Sequence, residues 1–136
     1  MSSNSNRGYL LDTHTFLWAV KCPERLGEQA LSIIEDASTH IYLSPISAYE
    51  IANKHRIGKL DSTYGSILEN YAFVAGKLGV KSLPLSAEHT LLAGTMEWNQ
   101  RDPFDRLIVA QASLEKLVIL TNDTKIQDCP LANTLW

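Results

Sequence analysis

Four acidic residues stand where the local sequence predicts the end of a strand or a helix face. They are Asp12, Glu50, Asp105 and Asp123. Four carboxylates converging at one edge of a sheet repel each other, so the cluster requires protonation or a bound cation. Oxygen ligands suit Mg²⁺ or Mn²⁺, and such an ion can activate water and offset the charge on a phosphate. The acids therefore indicate phosphodiester hydrolysis as the candidate chemistry.

Each acid also has an ordinary structural interpretation. Asp12 and Asp123 both follow an apolar run and can cap the next helix. Asp105 falls in the first turn of a predicted helix, where a negative charge suits the helix dipole. Glu50 can pair with Lys54 one turn later, which contributes about 0.3–0.5 kcal/mol. Taken singly, the structural interpretations compete well with catalysis, but the joint pattern favours a metal site.

The sequence offers no competing metal site of another kind. Its four histidines contain no HxH or HExxH pair; they are His14, His40, His55 and His89. The two cysteines, Cys22 and Cys129, lack CxxC spacing. They predict neither a zinc site nor a disulfide, and free thiols in a reducing compartment are expected.

Short apolar runs alternate with helical patterns along the chain. Strands are predicted at residues 9–11, 41–43, 80–85, 117–120 and 134–136. Helices are predicted between them, including one that starts after the cap Ser44 and ends at Gly58, and a long one from Tyr64 to Leu78. Strands that are apolar on both faces and separated by helices are typical of a parallel sheet covered on both sides. The predicted fold class is α/β, with ligands bound beyond the carboxyl ends of the strands.

Composition narrows the class of protein. The 136 residues are 45% hydrophobic and 20% charged, which is an ordinary composition for one globular domain, predicted at residues 8–136. Residues 1–7 are polar and rich in Ser and Asn, and they are predicted to form an N-terminal extension. The net charge of −3 excludes a protein that coats nucleic acid by charge alone. No apolar run reaches the roughly 18 residues of a membrane helix, and no signal region is visible. A cytoplasmic protein without a membrane partner is expected.

Four blocks of sequence resemble those of PIN-domain nucleases in order and distance. The first is Leu10-Leu11-Asp12-Thr13-His14, and the second runs from Ser44 to Lys54 and contains Glu50. The third is Arg101-Asp102-Pro103-Phe104-Asp105-Arg106, which is the most specific. The last is Leu120-Thr121-Asn122-Asp123. The blocks are spread from Tyr9 to Asp123, so the resemblance extends over nearly the whole domain. Each block alone is weak, but the ordered set is a strong signal.

The resemblance implies a three-layer α/β/α fold and cleavage of RNA that depends on Mg²⁺ or Mn²⁺. It assigns catalysis and metal binding to Asp12, Glu50 and Asp105, with Asp123 as a fourth, more variable member. Asp102 and Thr121 are expected to cap a helix or support these acids. We expect a metal-activated water to attack the phosphorus in line, leaving 5′-phosphate and 3′-hydroxyl ends.

The blocks also resemble VapC-type toxins of toxin–antitoxin pairs, which implies a cognate antitoxin and a homodimer. One departure is visible, because members with the third block often carry His where this chain has Gln100. RNA approaching an acidic site needs basic groups beside it. The candidates for this rim are Lys54, Arg56, Arg101 and Arg106, with His55 and Lys59 nearby.

Two alternatives remain open at this point. A non-catalytic PIN-like module would bind RNA or protein, although the presence of all four acids argues against it. An aspartate-dependent phosphatase or receiver-type domain would also place acids at a sheet edge. The phosphatase type needs a second acid two residues after its nucleophile, where this chain has His14, and it leaves Glu50 unexplained.

Overall fold

A five-stranded parallel sheet forms the centre of the computed structural model, which describes residues 8–136. The strands are β1 (Gly8–Leu11), β2 (His40–Leu43), β3 (Val80–Ser82), β4 (Val118–Leu120) and β5 (Thr134–Leu135). Their order is β3-β2-β1-β4-β5, and every neighbouring pair is parallel. The predicted α/β class with a parallel sheet is confirmed, and the predicted extension at residues 1–7 lies outside the described residues.

Helices connect the strands throughout residues 8–136. They are α1 (Thr13–Lys21), α2 (Glu28–Glu35), α3 (Pro45–Arg56), α4 (Gly65–Glu69), α5 (Tyr71–Leu78), α6 (Ala87–Thr95), α7 (Pro103–Glu115) and α8 (Thr124–Gln127). Short 3-10 turns at Pro23–Arg25 and Ser62–Tyr64 precede α2 and α4. In this part of the chain, every helix is too short or too polar to cross a membrane.

Helices cover both faces of the sheet. Successive side chains of a strand point to opposite faces, so each face has its own core. Leu10 of β1 packs in one core cluster with Ile108 and Val109 of α7. Leu11, the next residue, packs in the other cluster with Phe16 of α1 and with Ile51. Both leucines are fully buried. The result is the three-layer α/β/α arrangement that the resemblance implied.

Two predicted elements differ from the structure for local reasons. The single helix predicted from Tyr64 to Leu78 breaks at Asn70, whose side-chain amide donates to the Ser66 carbonyl at 3.3 Å. A side chain that bonds to nearby backbone competes with the helix in this way. The predicted strand at residues 80–85 ends at Ser82, because Pro84 has no N–H to continue a ladder.

The crevice in this sheet lies between β1 and β4. The chain leaves β1 toward β2 on one side and leaves β4 toward β5 on the other, so the connections diverge between these neighbouring strands. In open parallel sheets, ligands bind at such a switch point, beyond the carboxyl ends of the strands. Asp12 directly follows β1 and Thr121 directly follows β4.

Candidate active site

Five acidic side chains line one small cleft at this switch point. They are Asp12, Glu50, Asp102, Asp105 and Asp123. The cleft has a volume of about 110 Å³ and is completed by Thr13, His14, Lys54 and Ile108. The structure therefore brings all four acids singled out in the sequence to one place, together with Asp102.

Asp12 is held rigidly at the bottom of the cleft. Its Oδ1 accepts the Thr15 N–H at 2.8 Å and so caps α1. Its Oδ2 accepts the Thr121 hydroxyl. Burial raises the pKa of Asp12 above its usual value, and the bonds from Thr121 and Thr15 act against that rise. The helix cap and the candidate metal ligand, which were rival interpretations of the sequence, are the same carboxylate.

Thr121 joins two of the acids. Besides donating to Asp12, its hydroxyl oxygen accepts the Asp123 N–H at 3.0 Å. Asp123 then caps α8 by accepting the Lys125 N–H at 2.9 Å. The buried Thr121 hydroxyl thus sets the spacing between Asp12 and the start of α8.

Two further hydroxyl contacts near the cleft were not singled out from the sequence. Thr13 donates to Ser47 at 2.9 Å and ties α1 to α3. Thr15 donates to the Leu120 carbonyl at 2.7 Å and ties α1 to the end of β4. Both partners are distant in sequence, so no local pattern indicates either contact.

Asp105 has a strongly raised pKa in this cleft. Burial and the neighbouring carboxylates, with Asp102 the strongest of them, raise its pKa from 3.8 to about 7. The Gln100 side-chain amide donates to Asp105 Oδ2 at 3.1 Å. Gln100 therefore contacts a candidate metal ligand directly. The replacement of the family's frequent His by Gln100 affects the surroundings of Asp105 as well as the basic rim.

Asp102 resembles Asp12 and Asp123 in that its carboxylate caps a helix by accepting backbone N–H groups. It caps α7 by accepting the Phe104 N–H at 2.8 Å and the Asp105 N–H at 3.4 Å. Its own N–H donates to Gln100 Oε1 at 3.3 Å. Asp102 thus supports the turn that presents Asp105.

Glu50 has both of the features considered from the sequence. It lies on α3, is only 9% exposed, and pairs with Lys54 Nζ at 3.2 Å. Because Lys54 also lines the cleft, this ion pair places one positive charge among five negative ones.

The four residues predicted to form the basic rim lie in different surroundings. Lys54 lines the cleft, whereas Arg56 bonds Asn53 at 2.8 Å at the exposed end of α3, and Arg101 is exposed. Arg106 does not belong to the rim. Its guanidinium donates to four backbone carbonyls at 2.7–2.8 Å, which uses four of the five donors of an arginine. These carbonyls belong to residues 93–100, so Arg106 anchors that segment.

The carboxylates share a cleft without forming a closed set of ligands. Within residues 8–136, no three His, Cys, Asp or Glu side chains are grouped closely enough to hold a metal ion as they stand. Protein-bound Mg²⁺ usually keeps several waters and uses one or two carboxylates, so an open set of acids of this kind is compatible with it.

The raised pKa of Asp105 makes a prediction about stability in metal-free buffer. Folding raises this pKa from 3.8 to about 7, so the folded state favours the protonated acid. Lowering the pH from 8 to 5.5 in EDTA should therefore raise the melting temperature by several degrees. Asp105→Asn should melt higher than wild type at pH 8 and show a flatter profile over this range. A wild-type profile as flat as that of the variant would contradict this account.

The sequence matches one known family over most of its length. The profile of the PIN domain family matches residues 9–130. The chain belongs to the PIN domain family. No match is found among curated proteins.

Solved structures with the same fold as this PIN domain include chains of three complexes. VapBC2 from Rickettsia felis bound to a promoter DNA fragment matches with a TM-score of 0.61 and 18% identity, over 93% of this chain and 96% of that one. A toxin–antitoxin complex from Klebsiella pneumoniae matches with a TM-score of 0.63 and 14% identity, over 95% of this chain and 97% of that one. FitAcB from Neisseria gonorrhoeae matches with a TM-score of 0.61 and 19% identity, over 94% of this chain and 96% of that one. At these identities the likeness establishes the fold of the PIN domain.

Proposed function

We propose that this PIN domain is a divalent-metal-dependent endoribonuclease and the toxin of a toxin–antitoxin pair. The observation that carries the proposal is the convergence of Asp12, Glu50, Asp105 and Asp123 on one cleft at the sheet's switch point. A partly buried acid whose pKa is raised by its neighbouring carboxylates, as that of Asp105 is, is typical of a functional site. The similarity to VapBC2 and to the Klebsiella pneumoniae complex adds support for the toxin role.

The donors in the cleft fit a hard divalent cation such as Mg²⁺ or Mn²⁺. They are carboxylate oxygens, and the acids outnumber the cleft's lysine. A cation would act against the burial and the carboxylate repulsion that together raise the pKa of Asp105 to about 7. Asp12, Glu50, Asp105 and Asp123 are the residues that would hold it. The chemistry that the cation supplies when bound is activation of water and neutralisation of charge on the phosphate.

The chain's own residues would prepare the reaction by positioning. Thr121 and the Thr15 N–H hold both oxygens of Asp12, so this carboxylate needs no rearrangement to accept a ligand. Gln100 donates to Asp105 Oδ2 and leaves its other oxygen free of that amide. Lys54, paired with Glu50, offers a positive charge to an approaching phosphate. Attack of a water on the phosphorus, in line with the departing 3′ oxygen, would then leave 5′-phosphate and 3′-hydroxyl ends.

Partner binding is part of the same proposal. A cognate antitoxin could neutralise the cleft by offering a cationic side chain to its carboxylates. A homodimer is proposed as the active form, in line with the toxin role. An alternative function, binding RNA or protein without cleavage, is separated from the nuclease by an activity measurement.

The toxin role is tested by controlled expression in bacteria without an antitoxin. We expect growth to stop within a few generations and new RNA 5′ ends to accumulate. The Asp12→Asn protein, expressed to the same soluble level, should permit growth. Normal growth and an unchanged set of RNA ends with folded wild-type protein present would contradict the toxin role.

A further inference from the structure

A second and larger cavity lies beside the carboxylate cleft. Residues 97–100 bound it on one side, and Lys125, Asp128 and Pro130 bound it on the other. Its volume is about 650 Å³, within the range of roughly 300–1,000 Å³ that ligand pockets occupy. The carboxylate cleft, at about 110 Å³, is too small for a nucleotide. A chain of RNA with its phosphate at the cleft therefore needs room elsewhere for its bases.

Both sides of this cavity are bonded to acids of the cleft. Gln100, in one wall, donates to Asp105 Oδ2 at 3.1 Å. Lys125, in the opposite wall, donates its backbone N–H to Asp123 Oδ1 at 2.9 Å. A group bound in the cavity is consequently next to the carboxylates.

The wall formed by residues 97–100 is preorganised. Arg106 donates to the Trp98 carbonyl at 2.8 Å and the Gln100 carbonyl at 2.7 Å. It also donates to the Met96 carbonyl at 2.7 Å, just before the wall begins. Trp98 packs partly against the core cluster that contains Leu10. A wall fixed in this way loses little conformational entropy when a ligand binds.

The lining has two acids, Glu97 and Asp128, against the single Lys125, so an uncharged group such as an unpaired nucleobase suits it better than an anion. The Trp98 ring offers a stacking surface for a base. The amides of Asn99 and Gln100 can both donate to and accept from a base edge. Lys125 can contact a phosphate. We propose that this cavity binds one unpaired nucleobase of the RNA beside the bond that is cut, and so sets which bond is chosen.

This proposal rests on the proposed action on RNA, and binding can be measured apart from cleavage. The protein used is the full chain carrying Asp12→Asn, which prevents cleavage. The probe is a set of single-stranded heptaribonucleotides in which the central base is A, C, G or U and every other base is uridine. The indole N–H of Trp98 is followed by NMR during titration. Trp18 and Trp136 pack against each other in the opposite core layer and serve as internal references.

We expect the Trp98 resonance to shift saturably while those of Trp18 and Trp136 stay in place, with at least one central base favoured. Asn99→Ala and Lys125→Ala, both at exposed positions, should each weaken binding by roughly 3- to 10-fold. Trp98→Ala should weaken it by roughly 5- to 100-fold. Lys77→Ala removes an exposed lysine from α5 and should leave the affinity unchanged.

Three results would overturn the cavity's assignment. They are a Trp98 resonance that does not move while RNA binds, equal affinity in all the variants, and absence of any binding. A wild-type chain that cleaves RNA while Trp98 stays silent would overturn the base pocket and leave the nuclease intact. A Trp98 shift, together with a wild-type chain that cleaves no RNA, would keep the pocket and overturn the nuclease.

Discussion

Asp12→Asn is expected to reduce RNA cleavage by more than about 100-fold, because loss of even an indirect metal contact costs 10- to 100-fold. The replacement removes the charge and keeps the shape. The amide oxygen can still accept the Thr15 N–H, and the amide nitrogen can donate to the Thr121 hydroxyl, which also contacts Asp123. The fold should survive, so the loss would belong to the chemistry. Single-turnover cleavage rates and melting temperatures measure the two effects separately.

Asp36→Asn provides the matched control for this variant. Asp36 is exposed at the end of α2 and bonds only its own turn at Ser38. The same chemical change there should leave the cleavage rate within about twofold of wild type, since the site lies outside the cleft. Near-normal cleavage by folded Asp12→Asn protein would remove Asp12 from the assigned site.

The second large effect concerns stability. Arg106→Lys should lower the free energy of unfolding by about 2–4 kcal/mol, since hydrogen bonds from a charged donor contribute about 1.5–3 kcal/mol each. The guanidinium serves four carbonyls at once. A lysine ammonium carries three donors on one atom and cannot span the same carbonyls. Urea unfolding of the two proteins measures the difference.

Arg101→Lys tests the same change on the exposed side of the same motif. Arg101 is exposed, and surface replacements of this kind usually stay within about 0.5 kcal/mol. If Arg106→Lys were equally mild, the four bonds to residues 93–100 would carry no net stability. The base pocket would then lose the anchor that we assign to its wall.

The acids of the cleft could be predicted from sequence because the carboxyl ends of all strands in a parallel sheet lie at the same edge. An apolar run that ends in Asp12 and another that ends shortly before Asp123 must bring both acids to one edge if their strands are parallel neighbours. β1 and β4 are such neighbours. Capping and catalysis were posed as rival roles for Asp12, whereas the structure assigns its cap to the same carboxylate that lines the cleft.

Other features could not be predicted because they depend on irregular backbone. The sequence places Arg106 among the candidates for the basic rim, whereas three of its four carbonyl partners lie in residues 96–100, where no periodic pattern indicates the path of the chain. The break at Asn70 comes from a single side-chain bond to Ser66, which the apolar periodicity of residues 64–78 hides. The contact between Gln100 and Asp105 depends on the same irregular segment.

The central claim is that the carboxylate cleft cleaves RNA with the help of a divalent cation. The most direct test incubates partner-free wild-type protein with an end-labelled RNA pool in Mg²⁺, in Mn²⁺ and in EDTA. The account predicts fragments with 5′-phosphate and 3′-hydroxyl ends in either metal and intact RNA in EDTA. Cleavage that persists in EDTA, or folded protein that leaves every RNA intact in both metals, would contradict it.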